Sequence, residues 1–168
     1  MVKSKWEKYI VRTPAILIHE GKGVREVVPK GKPIPRWSPV DTGPQVVMAN
    51  NLVNAANSMI EYALISGDHQ VGIGNNLVPT HKHDYDEIFI FAGTNPDDVS
   101  DLGGEVEFWI GEGADFEKIL FKSSSAIFVP RGTAHFPMIF RNVKRPIMHI
   151  VVMPEARERI LKKEIQRG

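Results

Sequence analysis

Turn-forming residues interrupt this sequence roughly every 8 to 15 positions, and short runs rich in β-branched and aromatic residues lie between the interruptions. A chain punctuated in this way predicts many short strands rather than long helices. The candidate strands are Ser58–Ile65, Val71–Gly74, Glu87–Phe91, Glu105–Ile110, Lys118–Phe121, Ala126–Val129, Phe136–Arg141 and Ile147–Met153. Glu105–Ile110 shows the period of two most clearly: Val106, Phe108 and Ile110 on one face, Glu105, Glu107 and Trp109 on the other. Eight short antiparallel candidates fit a closed barrel or a double-sheet jelly roll, and 168 residues suit a single domain with a core of useful size.

The two ends read differently. Residues 1–45 are the least regular. Ala15–Ile18 reads as a short strand, and PKGKPIPRWSPVDTGP, residues 29–44, is too rich in proline and glycine for a helix. This part is expected to be an irregular N-terminal arm packing on the barrel or on a partner. Residues 46–153 hold the barrel. Residues 154–168 are expected to be a C-terminal helix: Ala156, Ile160, Leu161 and Ile165 form a narrow apolar stripe. Early Glu155 and late Lys162 and Lys163 complement the helix dipole.

Composition removes several classes of function. There is no cysteine, which excludes disulfides, zinc–thiolate sites and thiol catalysis and fits a reducing cytoplasm. A formal net charge of +1 gives no global attraction to nucleic acid or to anionic lipid. No segment approaches the roughly 20 apolar residues that cross a bilayer, and MVKSKWEKYIVRTP carries no signal-peptide pattern. Neither a P-loop nor a dinucleotide fingerprint is present, and the serines at 123–125 lack a nucleophile elbow. The basic cluster Arg141, Lys144 and Arg145 has no interleaved aromatics and reads as a solvated face.

What the chain does contain is GNNLVPTHKHDYDEIFIFAG and, further on, VPRGTAHFP. His81 and His83 are two apart, so on a strand they share a face with Cα atoms about 6.6 Å apart and can chelate one ion. Glu87 lies four residues beyond His83, about 13 Å along a straight strand. The chain must therefore bend through Asp84, Tyr85 and Asp86, which are turn-compatible. Glu87 then opens a new strand and shares a face with Phe89 and Phe91. His135 follows a Pro130–Gly132 turn some 50 residues downstream and meets an independent requirement for a fourth donor. Together, three imidazoles and one carboxylate make a ligand set for one divalent transition metal. Four donors leave an octahedral ion with open positions. His19 and His69 receive no role.

These residues also carry a family resemblance. Gly74, His81, His83, Glu87 and Gly93 follow the first motif of the cupins, and Pro130, Gly132 and His135 follow the second. Ile139 stands where the second motif usually has asparagine, a position that is not a ligand. The chain resembles a single-domain, metal-binding cupin over residues 60–153, and the likeness implies a jelly-roll β-barrel. TNPDDVSDLG, where compact cupins have a short turn, reads as an acidic loop, with a lid or an interface element as alternatives.

Three histidines and a carboxylate leave a divalent ion with a charge of about +1, suited to polarising an anionic or enolisable oxygen ligand. Iron or manganese stands first, with zinc, nickel and cobalt also compatible. The expected partner is a small oxygenated substrate that chelates the metal, and dioxygenation is the leading reaction. The alternatives are a non-catalytic metal- or ligand-binding module and a carbohydrate isomerase-like activity, which would require a wide polar pocket. The pocket is expected to hold Phe89, Phe91 and Arg131, the last as a carboxylate binder. Tyr85 and Asp86 sit where they can exchange protons with the site. His149 either points inward as a proton shuttle or outward with Ile147 and Val151. The resemblance also implies a homodimer.

Overall fold

The computed structural model describes residues 4–12, 14–20, 23–28, 44–71, 80–156 and 165–167. A 3-10 turn at Glu7–Tyr9 precedes β1 (Ala15–Glu20), β2 (Gly23–Val28), β3 (Gln45–Met48), β4 (Met59–Ile65) and β5 (His69–Val71). Then come β6 (Glu87–Gly93), β7 (Asp101–Ile110), a 3-10 turn at Gly113–Asp115, β8 (Glu117–Ser123) and β9 (Ser125–Val129). The chain closes with β10 (His135–Arg141), β11 (Ile147–Met153) and β12 (Ile165–Arg167). Each predicted strand is present to within a few residues, except that the last three positions of Val71–Gly74 lie outside the described residues.

The strands form two sheets, one ordered β12-β2-β1-β3-β4-β11-β6-β9 and the other β5-β10-β7-β8. Every pairing is antiparallel except β12 with β2. β4, β6 and β11 alternate buried and partly exposed side chains. One face of the large sheet therefore packs on the small sheet, as a jelly-roll barrel of the cupin type requires. The core between the sheets is strongly aromatic: Phe89, Phe91, Phe108 and Phe140 are each at most 1% exposed.

The ends depart from the sequence reading. Sequence placed one strand in residues 1–45, Ala15–Ile18; the structure has β1, β2 and the start of β3 there, and β1–β2 is a hairpin that widens the large sheet. The proline-rich stretch from 29 to 43 lies outside the described residues. So do residues 157–164, most of the expected C-terminal helix. The described end of that segment corrects the helix: Ile165–Arg167 is extended and pairs with Glu26–Val28. A short helical stripe is a weak signal where sheet hydrogen bonds are on offer.

Two glycines fix the loops near the barrel mouth and floor. A Cβ on Gly93 would fall 1.9 Å from the Asp101 carbonyl oxygen, so the β6–β7 connection closes only over a bare Cα. Gly132 has φ +79°, which L-residues with side chains rarely adopt. The acidic stretch after Gly93 is tied down by its own carboxylates. Asp98 accepts from the Ser100 N–H and hydroxyl, and Asp101 accepts from the Gly103 N–H, Asn95 and Arg145. Asp101–Gly103 belong to β7 rather than to the loop.

Candidate metal centre

Two of the histidines come from the loop before β6 and the third opens β10, and backbone hydrogen bonds stitch the two segments together. His81 N–H donates to the His135 carbonyl (3.1 Å) and His135 N–H to the His81 carbonyl (3.0 Å), so the two residues face each other as an antiparallel bridge. Beyond His83 the chain bends at Asp84 and Tyr85 and enters β6 at Glu87, the change of direction that the spacing demanded. From the other side, Pro130 ends β9, Gly132 turns the chain and donates its N–H to the His83 carbonyl (2.7 Å). The turn carrying His135 is thus bonded to the loop carrying the other two histidines at both ends.

The side chains meet where these loops meet. The ligand-capable atoms of His81, His83 and His135 all lie within 4.8 Å of one another. Glu87 Oε2 is 2.9 Å from His135 Nε2 and 3.4 Å from His83 Nε2. Two ligands at about 2.1 Å from one ion lie about 3.0 Å apart at a right angle and about 3.4 Å apart at a tetrahedral angle, so these separations suit a shared cation. The His135 ring points to the same use. Its Nδ1 lies 3.1 Å from the Thr133 carbonyl, which can only accept, so Nδ1 carries the proton. Nε2 is thereby the ring nitrogen that faces Glu87, and the one available to a cation shared with it. Glu87 and His135 are buried, while His81 and His83 are partly exposed, so one side of the cluster is open to solvent. The three histidines therefore fit a divalent metal in donor type and spacing, and Glu87 stands beside two of them.

The neighbours take varied places. Phe89 lies beside His135, ring centroids 5.6 Å apart. Phe91 sits deeper, against Phe121 and Phe140. Tyr85 stacks on His83 at 4.6 Å and 8°, fixing that ring. Asp86 turns away toward Arg131: it accepts the Arg131 N–H at 2.9 Å and lies 3.4 Å from its Nε. These two bonds hold the Asp86 carboxyl below its usual range. Arg131 is more than half exposed and also reaches Glu155 at 3.2 Å, so protein carboxylates occupy its guanidinium. His149 points inward together with Ile147 and Val151. It stacks on Phe91 at 4.8 Å, and burial pushes its pKa down to about 4, against weaker opposing pulls from the Ile90 backbone and Glu87.

Three buried polar residues were passed over in the sequence: Gln45 on β3, Glu61 on β4 and Asn50 in the β3–β4 loop are 3%, 5% and 9% exposed. Strand alternation hides Glu61, because the residues flanking it, Ile60 and Tyr62, are more apolar than it is and imply that it faces out.

No family model and no curated protein matches the chain. Solved structures do. Hydroxypropylphosphonic acid epoxidase from S. wedmorenis matches with a TM-score of 0.40 and 10% identity, over 66% of this chain and 49% of that one. Oxalate oxidase matches with a TM-score of 0.44 and 15% identity, over 67% and 51%. An uncharacterized conserved protein with a double-stranded beta-helix domain from Klebsiella pneumoniae subsp. pneumoniae matches with a TM-score of 0.43 and 14% identity, over 67% and 70%. The chain spans about half the length of the epoxidase and of the oxidase. A shared chain path at such identities implies no shared reaction. Among the described residues, no helix is long and apolar enough to cross a membrane.

Proposed function

We infer that the chain is a metal-dependent cupin enzyme acting on a small oxygenated organic molecule that chelates the ion, with dioxygenation as the leading reaction. One observation supports this reading: the ring nitrogens of His81, His83 and His135 lie within 4.8 Å of one another beside the Glu87 carboxylate, and His81 and His83 are partly exposed. An ion held there, iron or manganese first and zinc, nickel or cobalt also compatible, supplies Lewis acidity and, if iron, access to dioxygen. The protein's own residues do the rest. Thr133 holds the His135 tautomer, Tyr85 fixes the His83 ring, and Phe89 and Phe108 exclude water beneath the cluster. The phenylalanine-lined interior speaks against a carbohydrate isomerase. A non-catalytic metal-binding role is the second reading, favoured by how completely aromatic rings fill the barrel below the histidines.

The absence of cysteine fits a cytoplasmic setting. A second copy of the chain is the expected partner, through the apolar outer face of the large sheet.

The test is metal analysis of protein purified without a histidine tag, with oxygen uptake measured against enediols, diketones and catechols. His135→Ala is expected to reduce bound metal to a small fraction of the wild-type content. Full retention would overturn the site. Stoichiometric metal with no turnover of any compound would favour the non-catalytic reading.

A further inference from the structure

β10 breaks strand alternation immediately after a histidine of the cluster. His135 pairs with Ile110 and Met138 with Phe108, so Phe136 and Pro137 together stand opposite Trp109. Two residues against one make a β-bulge, and a bulge changes which side chains face inward. A regular strand would turn His135 away from the side of Met138 and Phe140. With the extra residue, His135, Phe136, Met138 and Phe140 are all buried, at 1%, 8%, 1% and 1% exposed.

The bulge holds a conformation that a bulky residue avoids. Phe136 has φ +77°, in the left-handed region that disfavours large side chains. Such backbone persists where its surroundings over-determine it, and it clusters at functional sites. The Thr80 hydroxyl donates to the Phe136 carbonyl at 2.9 Å. The Phe136 ring packs against Phe89 and Phe108 at centroid distances of 5.8 and 6.2 Å. The conformation lays this ring almost flat on His81, with centroids 5.1 Å apart and planes at 21°. The same ring lies 5.3 Å from that of His135, so it touches two of the three histidines.

We propose that Phe136 is a positioning residue for the metal centre: the bulge sets its ring as a flat support that fixes the plane of the His81 imidazole. The χ2 torsion of a histidine is broad, and a ligand ring that must be ordered on binding weakens affinity. Tyr85 stacks on His83 and Thr133 holds His135; Phe136 gives His81 the corresponding support. The proposal rests on the metal reading above.

The test compares Phe136→Leu, Phe136→Tyr and Phe140→Leu with the wild type. The measurements are cobalt affinity, the cobalt absorption spectrum and the His81 ring-proton shifts of metal-free protein. Phe136→Leu keeps the β-carbon and much of the apolar bulk but removes the ring face. It is expected to weaken cobalt binding roughly three- to tenfold, to alter the spectrum and to abolish the ring-current shift of His81. Phe136→Tyr is expected to restore all three toward wild-type values. Phe140 is also buried, but its ring packs against Phe91 and His149 rather than on the cluster. Phe140→Leu should therefore lower the thermal midpoint with cobalt affinity and spectrum unchanged. If Phe136→Leu does not fold, Thr80→Val takes its place: loss of the hydroxyl that holds the Phe136 carbonyl should shift affinity and spectrum in the same direction. Wild-type affinity and spectrum in Phe136→Leu, or in Thr80→Val where it stands in, overturn the proposal. So does a Phe140→Leu variant that weakens cobalt binding as much as Phe136→Leu. A wild-type protein that takes up no cobalt overturns the metal reading together with the positioning role. A cobalt-loaded wild type whose Phe136→Leu variant binds equally well overturns the positioning role alone.

Discussion

His149 is held in an environment far from water: Phe89, Phe91 and Phe140 surround its ring at centroid distances of 6.0, 4.8 and 6.1 Å. Its pKa falls from 6.5 to about 4 because burial penalises the imidazolium. The folded state therefore binds fewer protons than the unfolded one, and the sign of the linkage follows. The full contribution to stability is present above about pH 6.5 and is lost as the pH falls toward 4. A shift of this size is worth about 3 kcal/mol across that window. His149→Phe is expected to flatten the acid side of the stability curve, measured by urea denaturation of metal-free protein at several pH values. A curve as steep as the wild type's would show that His149 is not the group responsible. The sequence left the direction of His149 open because one strand of alternating apolar residues does not announce which face is inside. The same ambiguity hid Glu61. His81, His83, Glu87 and His135 were legible because their spacing, unlike hydropathy, does not depend on knowing the inner face.

At the scale of elements, the ligand loops are joined by a few specific bonds. Asp86 at the head of β6 accepts the backbone N–H of Arg131 in the turn that carries His135. Asp86→Ala removes that acceptor and is expected to weaken metal affinity several-fold. Arg131→Ala keeps the backbone bond, so its effect should be smaller. Competition with a coloured chelator measures both, and equal effects would mean that the exposed ion pair, not the backbone bond, ties the loops. Gly93 makes a second test. Gly93→Ala puts a methyl group into the Asp101 carbonyl, and forcing β6 and β7 apart is expected to destabilise the fold by 1–3 kcal/mol or so, read as a lowered thermal midpoint. The central strands could be read from sequence because their turns are marked by glycine and proline. β2, β3 and β12 escaped because nothing local distinguishes an added edge hairpin or a three-residue pairing from irregular chain. Pairing across long sequence distances decides those segments, and a periodicity argument does not contain it.

The whole molecule has an unusual property: across β4, β11, β6 and β9 the outer face of its large sheet is apolar. On the outer face Ile60, Val152, Ile88 and Phe128 stand side by side across β4, β11, β6 and β9. Tyr62, Ile150, Ile90 and Ala126 form the next row, followed by Leu64, Met148 and Ala92. None of these side chains is charged, and Phe128 is 57% exposed. Four strands and three rows make a footprint of about 400 Å², at the upper end of what a monomer leaves bare. A standard interface covers about 800 Å² per partner with an apolar centre and a polar rim, so these rows supply such a centre. A two-fold axis through the middle row would set Ile150 and Ile90 against their own copies. Ile90→Asp places two carboxylates at that axis in each dimer and leaves the barrel interior untouched. The wild type is expected to elute and scatter light as a dimer at micromolar concentration. The Ile90→Asp variant should be a monomer that keeps its metal and its thermal transition. A wild-type monomer, or a variant dimer of undiminished affinity, would mean that something other than a second copy covers this face.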